Sequence, residues 1–296
     1  MNYKDKYEKY KKKYLLQRSN SGSFVPINFI DLPTNFPYRE NAKPNNIHIG
    51  QRKLLLNEVY FLSRFGNLSN TVVYAGAAPG THISLLAELF PNHKFILYDP
   101  SRFNIKETDN IKIFTGEDEG YFTGPIAKQY ANQNVLFISD IRSVKGITDF
   151  KEFESRVIID NELQKEWVTI MKPAKASLKF RIPFTIKEPY EYFDGLIEVQ
   201  AWAPKTSSET RLITDGLKMK KYDPIAYENK MFYFNNYIRP NKTYGNLSWD
   251  TAYEIFIWQQ YFKKTNIDNQ FIRDKIKDIM NKVTQVLNRD IRGKYL

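Results

Sequence analysis

"TVVYAGAAPGTHISLL", residues 71–86, decides how this chain is read. An apolar, β-branched run ends in small residues, two glycines and a proline, and a helical pattern begins at once. Strand, bare bend and helix are what an open α/β sheet places beside a ligand. The bend is not the GxGxxG of dinucleotide enzymes, nor a P-loop, because no Lys-Ser/Thr pair follows its glycines. The next apolar run, "KFILYD" (94–99), closes on Asp99, where an acid of such a sheet takes ribose hydroxyls. Gly76 and Asp99 together point to an adenosine-type ligand without a pyrophosphate, a description that S-adenosylmethionine meets. The plainer alternative is a glycine-rich turn and a surface acid.

Outward from the bend, helical and extended patterns alternate. Residues 49–65 form a helix with Leu55, Val59 and Leu62 on one face. After 94–99 come a third strand in "IKIFTG" (111–116), a helical stretch in 118–131 and a fourth strand in "NVLFISDIR" (134–142). That fourth run is apolar throughout, as in a parallel strand buried on both faces. A long helix (149–171), a fifth strand "ASLKFRIPF" (176–184), a sixth in "DGLIEVQAWA" (194–203) and a seventh in "NKMFYFNNYI" (229–238) follow. Two helices, 248–264 and 268–290, end the pattern. The fold class is α/β, an open sheet with helices on both faces. Three parts are expected: a basic, extended arm over 1–48, a domain over 49–264 and a basic helical extension over 265–296. Within the arm, Tyr3, Tyr7, Tyr10 and Tyr14 recur at helical spacing among lysines. In the extension, Ile272, Ile276, Ile279, Val283 and Val286 do the same, so that helix packs on something: this domain or a partner.

The 296 residues carry a formal charge of +11, with 20 Tyr and 21 Phe. Such an excess favours polyanions, and tyrosines on a basic surface stack on bases, so RNA or DNA is the expected partner. An anionic membrane surface and plain solubility are the alternatives. The chain has no cysteine, which excludes disulfides, zinc–thiolate sites and cysteine nucleophiles. With only His48, His82 and His93, no histidine metal site and no metal cofactor are expected. No run is long and apolar enough to span a membrane, and the start has no signal core, so an intracellular protein is expected.

Four polar residues stand at or beside the predicted strand ends. Asp140 ends the most apolar strand, in "LFISDIRS". Lys179 interrupts "ASLKFRIPF", a costly place for a lysine that is neither paired nor functional. Glu209 lies in "TSSETRLI", and Lys53 opens the helix before the bend, in "GQRKLLL". Each has a plain structural reading: a helix-surface charge for Lys53, a cap for Asp140, half of a buried ion pair for Lys179, a surface acid for Glu209.

Taken together, "GQRKLLLNEVYFLS", "TVVYAGAAPGTHI", "LFISDIRS", "ASLKFRIPF", "SSETRL" and "YENKMFYFN" occur in one order across roughly residues 36–262. They resemble the poxvirus-type cap-specific mRNA 2′-O-methyltransferases, the family that also serves as the small subunit of viral poly(A) polymerase. The resemblance implies a Rossmann-like methyltransferase sheet using S-adenosylmethionine. It implies a catalytic tetrad of Lys53, Asp140, Lys179 and Glu209, in which Lys179 orients and deprotonates the ribose 2′-hydroxyl while the others hold and tune it. It carries cofactor contacts onto Gln51, Gly76, Ala77, Ala78, Pro79, Gly80, His82 and Asp99, and onto Arg102 across one extra residue. For the methylated guanine of the cap it implies stacking by Phe184 and Tyr38 and an edge contact by Glu228. The family's second acid falls at Ile186 here, with Glu188 nearby. Arg142, Lys145, Arg181 and Lys205, near strand ends, are candidates for RNA phosphates. Partners would be capped mRNA and a poly(A) polymerase catalytic subunit, in the host cytoplasm or the virion of a large DNA virus. Two other activities stay open: an RNA clamp for the polymerase without catalysis, and methylation of another RNA such as ribosomal RNA.

Overall fold

The computed structural model describes residues 24–34, 49–144, 146–204, 206–265 and 267–287. The Lys/Tyr start and most of the arm lie outside them. Helix α1 is Gly50–Phe65, and its Leu55, Val59 and Leu62 are buried, as their spacing predicts. Strand β1 (Thr71–Ala75) passes through the bend into α2 (Ile83–Leu89), then β2 (Lys94–Asp99) and β3 (Ile111–Thr115). Short helices α3 (Gly116–Glu119) and α4 (Gly124–Gln129) lead to β4 (Leu136–Ser139). Helix α5 (Phe150–Met171) starts at Asp149, whose side chain caps the amide of Glu152, and returns to β5 (Lys175–Phe180). Then come β6 (Tyr190–Phe193), β7 (Leu196–Glu198), β8 (Thr210–Thr214), β9 (Met219–Tyr222) and α6 (Pro224–Tyr233). A ribbon of β10 (Thr243–Tyr244) and β11 (Leu247–Ser248) precedes α7 (Trp249–Phe262) and α8 (Ile272–Leu287).

Among the described residues, seven strands form the main sheet in the order β3-β2-β1-β4-β5-β8-β7. The strands from β3 to β5 are parallel, and β8 runs antiparallel between β5 and β7. This is the mixed α/β sheet flanked by helices that the alternating pattern implies. The chain builds outward from β1 to β3, then returns to lay β4 on the other side of β1. Such a reversal is where an open α/β sheet has its ligand crevice, here beyond the C-terminal ends of β1 and β4. The bend and Asp140 both lie there.

The bend owes its bareness partly to the fold itself. Gly76 has φ +79°, and a Cβ on it would stand 2.7 Å from the backbone nitrogen of Ile141. A side chain would therefore push apart the exits of β1 and β4. The amides of Gly76 and Ala77 both donate to the carbonyl of Tyr98, at 2.8 and 3.3 Å, so the bend is also laced to β2.

Three expectations need correction. "NKMFYFNNYI" is not a strand but the end of α6 followed by a π-helical turn, Phe234–Ile238. Its start signal lies upstream: Asp223 accepts from the amide of Ala226, and Pro224 occupies the first turn. An aromatic run buried on several sides carries no clear period, which is why it reads as extended. The sixth strand shrinks to Leu196–Glu198, and its pairing partner is β8, a strand the sequence analysis left unassigned. The fifth ends at Phe180, which pairs with Thr210 at the very start of β8, so no partner strand continues beyond it. Helix α8 buries Ile276, Ile279 and Val283 on α1 and α7 while Val286 stays exposed, so the extension docks on its own domain.

Candidate active site

Four different elements deliver the predicted tetrad to one place. Lys53 lies in the first turn of α1. Asp140 follows β4 and is tied to β1 by its amide, which donates to the carbonyl of Ala75 at 2.9 Å. Lys179 is the penultimate residue of β5, and Glu209 directly precedes β8. Lys53 Nζ donates to Glu209 Oε1 at 2.8 Å. Lys179 Nζ lies 3.4 Å from Asp140 Oδ1 and 3.6 Å from Glu209 Oε2, and also donates to the Asp140 carbonyl at 3.4 Å. Glu209 is thus shared by the two lysines and leans toward Lys53.

A fifth member escaped the sequence analysis. Arg211 pairs directly across from Lys179 in the β5–β8 ladder, two residues beyond Glu209 and so on the same face. It is 2% exposed. Two cations opposite each other would repel, and Asp140 resolves this by accepting from Arg211 and pairing with Lys179. A second Arg211 nitrogen donates to the carbonyl of Ser139 at 3.0 Å. The signal was in the sequence: "ETR" before an apolar run puts Glu209 and Arg211 on one side of a strand.

The electrostatics divide the group. Burial raises the carboxyl of Glu209, but Lys179, Lys53, Arg142 and Arg211 outweigh it and hold the group well below the usual carboxylate range. Asp140 is likewise pushed up by burial but held down, on balance, by Lys179, Arg211 and Lys53. Burial lowers Lys179, and Arg142 and Lys53 add to that; Asp140 and Glu209 oppose it without cancelling it. Two fixed anions and a lysine moved toward its neutral form are the result. Arg142 stands beside them. One of its nitrogens, Nη1, is 3.5 Å from Asp160, and another, Nη2, is buried with no hydrogen-bond partner among the described residues. An orphaned donor in a cationic cleft suits a phosphate oxygen.

The predicted cofactor residues lie at or beside the bend, with one reassignment, His82. Asp99 accepts from the amides of Ala78 at 3.1 Å and Ser101 at 2.8 Å, one on each oxygen. The carboxylate is fixed against the bend, and each oxygen keeps a lone pair for a ribose hydroxyl. With Gly76, Ala77, Ala78, Pro79 and Gly80 at its side, this donor set fits S-adenosylmethionine. His82 is fully buried. Its Nδ1 is 2.8 Å from Gln51 Oε1 and its Nε2 is 3.0 Å from Glu58 Oε1, so the ring braces the bend against α1 instead of lining the crevice. Gln51 also accepts from Thr81 Oγ1 at 2.6 Å. Arg102 is exposed on the loop after β2. Among the described residues, no cluster of three or more His, Asp or Glu side chains could hold a metal.

Two of the predicted cap residues, Phe184 and Glu228, lie near Glu154, an acid the sequence analysis passed over. Glu154 is 1% exposed on α5. It accepts from Arg181 at 3.0 and 2.5 Å and from the amide of Phe184 at 2.5 Å. Arg181, a candidate for a phosphate, is therefore buried in an ion pair that fixes the loop carrying Phe184. Its guanidinium lies 5.0 Å from the Phe184 ring centroid. Burial raises the carboxyl of Glu228, Lys187 opposes this and Glu154 adds to it, which puts Glu228 in the same neighbourhood. Ile186 packs against the core, and Glu188 is exposed. Tyr38, Lys145 and Lys205 lie outside the described residues.

Helix α5 aligns much of this. Gln164 Nε2 donates to the carbonyl of Lys179 at 3.0 Å, and Asn161 Nδ2 to that of Arg181 at 3.0 Å. Asp160 accepts from Ser143 Oγ at 2.6 Å and its amide at 3.0 Å, holding the loop after Asp140. Glu154, Asn161 and Gln164 share the inward face with Val157, Val168 and Met171. Polar residues at core positions of a helix were the overlooked sign.

The family model described as "Poly A polymerase regulatory subunit" matches residues 26–289. The "Cap-specific mRNA (nucleoside-2'-O-)-methyltransferase" of Myxoma virus (strain Lausanne) is 32% identical over 266 residues, 81% of this chain and 77% of that protein. The protein of the same name from Fowlpox virus (strain NVSL) is 32% identical over 277 residues, 84% of this chain and 88% of that one. The matched span runs from the segment before α1 to the end of α8 and takes in every tetrad residue: the chain belongs to the poly(A) polymerase regulatory subunit family.

Proposed function

We propose that this protein transfers a methyl group from S-adenosylmethionine to the 2′-hydroxyl of the first transcribed nucleotide of capped mRNA. The observation that carries this is the convergence of Lys53, Asp140, Lys179 and Glu209 at the strand ends, beside the bend and Asp99. Capped RNA enters as the substrate of the named poxvirus relatives.

The bound cofactor supplies an electrophilic methyl on a sulfonium. The chain's residues do the rest. Asp99 and the bend hold the adenosine. Asp140 and Glu209 aim Lys179 at the ribose 2′-hydroxyl, and neutral Lys179 accepts its proton. Lys53 takes the closer share of Glu209, which leaves Lys179 less stabilised as a cation. Arg142 offers its buried, unpaired Nη2 to a transcript phosphate that enters beside the tetrad. Phe184 and Glu228 receive the cap guanine, a cationic ring suited to an aromatic face and an acid.

Deprotonation of a lysine with a lowered pKa predicts a rate that rises with pH and levels off. Half-maximal kcat is expected below the ordinary lysine value of 10.5. Asp140 and Glu209 are held in the anionic form, so they set no limb at neutral pH. A kcat that falls as pH rises from about 6 to 10 would remove Lys179 from the role of base. Asp99→Ala is expected to weaken cofactor binding by about 10- to 100-fold, since hydrogen bonds to a charged group are lost. Calorimetric titration with S-adenosylmethionine measures this, and an unchanged dissociation constant would reject the adenosine assignment. Competition between capped and uncapped RNA tests the substrate: the protein should prefer the capped RNA, and Phe184→Ala should reduce that preference. Equal use of both by the wild type would point to another RNA.

A second role is favoured by the family match and the charge of +11: a processivity subunit on a poly(A) polymerase. The two roles are compatible, and the buried tetrad has no use in a clamp alone.

A further inference from the structure

The ion pair between Lys53 and Glu209 joins segments 156 residues apart, and its geometry needs a common reference. Glu254 of α7 has the contacts for one. It is fully buried and accepts from Arg52 Nε at 2.9 Å and Nη2 at 2.6 Å, and from the indole of Trp202 at 2.9 Å. Trp258 adds a longer indole contact at 3.4 Å. Arg52 precedes Lys53 in the first turn of α1. Trp202 stands on the β7–β8 loop that ends in Glu209. One carboxylate thus grips both carriers of the pair.

The loop is held in an uncommon shape. Trp202 has φ +58°, in the left-handed region that bulky residues avoid. Such a backbone persists only where surrounding contacts over-determine it. Here Asp250 accepts from the Trp202 amide at 2.9 Å, and Arg239 binds both Asp250, at 3.0 Å, and the carbonyl of Ala203, at 2.7 Å. Further along, Asn235 donates to the carbonyl of Ser207 at 2.6 Å, and Ser207 Oγ accepts from the Glu209 amide at 3.1 Å. Gln200 Nε2 donates to the Glu209 carbonyl at 2.9 Å, and Asn57 of α1 donates to Gln200 at 2.6 Å. On the other side, Arg52 Nη1 donates to Thr284 of α8 at 2.9 Å.

We propose that Glu254 is a positioning residue that sets the Lys53–Glu209 pair through Arg52 and Trp202, with α8 bracing Arg52 through Thr284. The proposal rests on the methyl-transfer reading for its kinetic consequence, but its geometry stands apart from it. A fully paired buried carboxylate fixes its neighbours because any shift leaves charge uncompensated. The C-terminal helices are thereby part of the catalytic framework, though they contribute no side chain to the tetrad.

Trp202→Phe keeps a ring and deletes the indole donor; Thr284→Val deletes the brace on Arg52. Trp202→Phe should lower kcat about tenfold, and Thr284→Val by about threefold, with KM for RNA and the cofactor dissociation constant within about twofold of wild type. In a Lys53→Met background, Trp202→Phe should lower kcat by less than it does in the wild type, because only the Lys179 side of Glu209 remains to be disturbed, which a general loss of stability would not reproduce. A crystal structure of the Trp202→Phe protein should show the Lys53–Glu209 contact opened beyond about 4 Å, the limit of an ion pair. An unchanged kcat, or equal losses with and without Lys53, overturns the proposal. Should the wild type transfer no methyl, the methyl-transfer reading fails by itself and the crystal structure decides this proposal: a retained contact overturns it and an opened one supports it.

Discussion

Replacing Lys179 with alanine is expected to lower kcat for methyl transfer by about 10³-fold or more, while S-adenosylmethionine binds as tightly as before. The geometry separates the two effects. Among the described residues, Lys179 Nζ touches only the tetrad carboxylates and the Asp140 carbonyl, and the bend and Asp99 do not depend on it. Asp140 keeps Arg211, and Glu209 keeps Lys53, so neither anion is stranded. The fold should survive and the loss should be chemical. Lys179→Arg is expected to be nearly as inactive, because a guanidinium keeps its proton and presents a wide fork instead of a point donor. Single-turnover rates and calorimetric cofactor titration check this together. A cofactor affinity that fell in step with the rate would make Lys179 a binding residue.

The second large effect is expected at Glu154. Its removal in Glu154→Ala leaves Arg181 buried without its carboxylate and the Phe184 amide without its acceptor. Breaking a buried pair from one side costs about 3–5 kcal/mol, which for a domain this size lowers Tm by about 10 °C. Cap preference should fall as well, because the Phe184 loop loses its anchor. The double change Glu154→Leu with Arg181→Met separates the two: replacing both partners by apolar side chains should restore most of the stability without restoring cap preference. Thermal unfolding and competition between capped and uncapped RNA measure the pair of outcomes. A Glu154→Ala protein within about 0.5 kcal/mol of wild type would show that Arg181 has another counter-ion.

The parts of the fold legible in the sequence were those governed by short-range pattern. The run from Thr71 through the bend to Leu89 reads directly, because the strand, the glycines and the helix each follow a local rule. Asp99 could be placed for the same reason: it ends the next strand. Of the four tetrad residues only Lys179, a lysine inside β5, stood out by its residue type; Lys53 and Glu209 read singly as surface charges and Asp140 as a cap, and the family resemblance joined them. Pairing was not legible. Arg211 acquires its meaning only when β8 turns antiparallel against β5 and sets it opposite Lys179, and no local rule gives that register. Glu154 and Arg181 likewise look like surface charges until α5 lies against the end of β5. The aromatic run after Asn229 misled because burial on several sides erases the period that tells helix from strand. His82 was assigned to the crevice on resemblance, whereas its environment is internal: Gln51 and Glu58 enclose it. Gly76 was read as making room for a ligand, and part of that room is taken by the backbone at Ile141.

The most direct test of the account is to find where the methyl goes. Capped RNA with a free first 2′-hydroxyl would be incubated with the protein and S-adenosylmethionine, digested to nucleosides and cap dinucleotides, and analysed by mass. The account predicts a single methyl on the ribose of the first transcribed nucleotide, absent with the Lys179→Ala protein and absent from RNA already methylated there. A methyl found on a base or an internal ribose, or the same product from the Lys179→Ala protein, would contradict it.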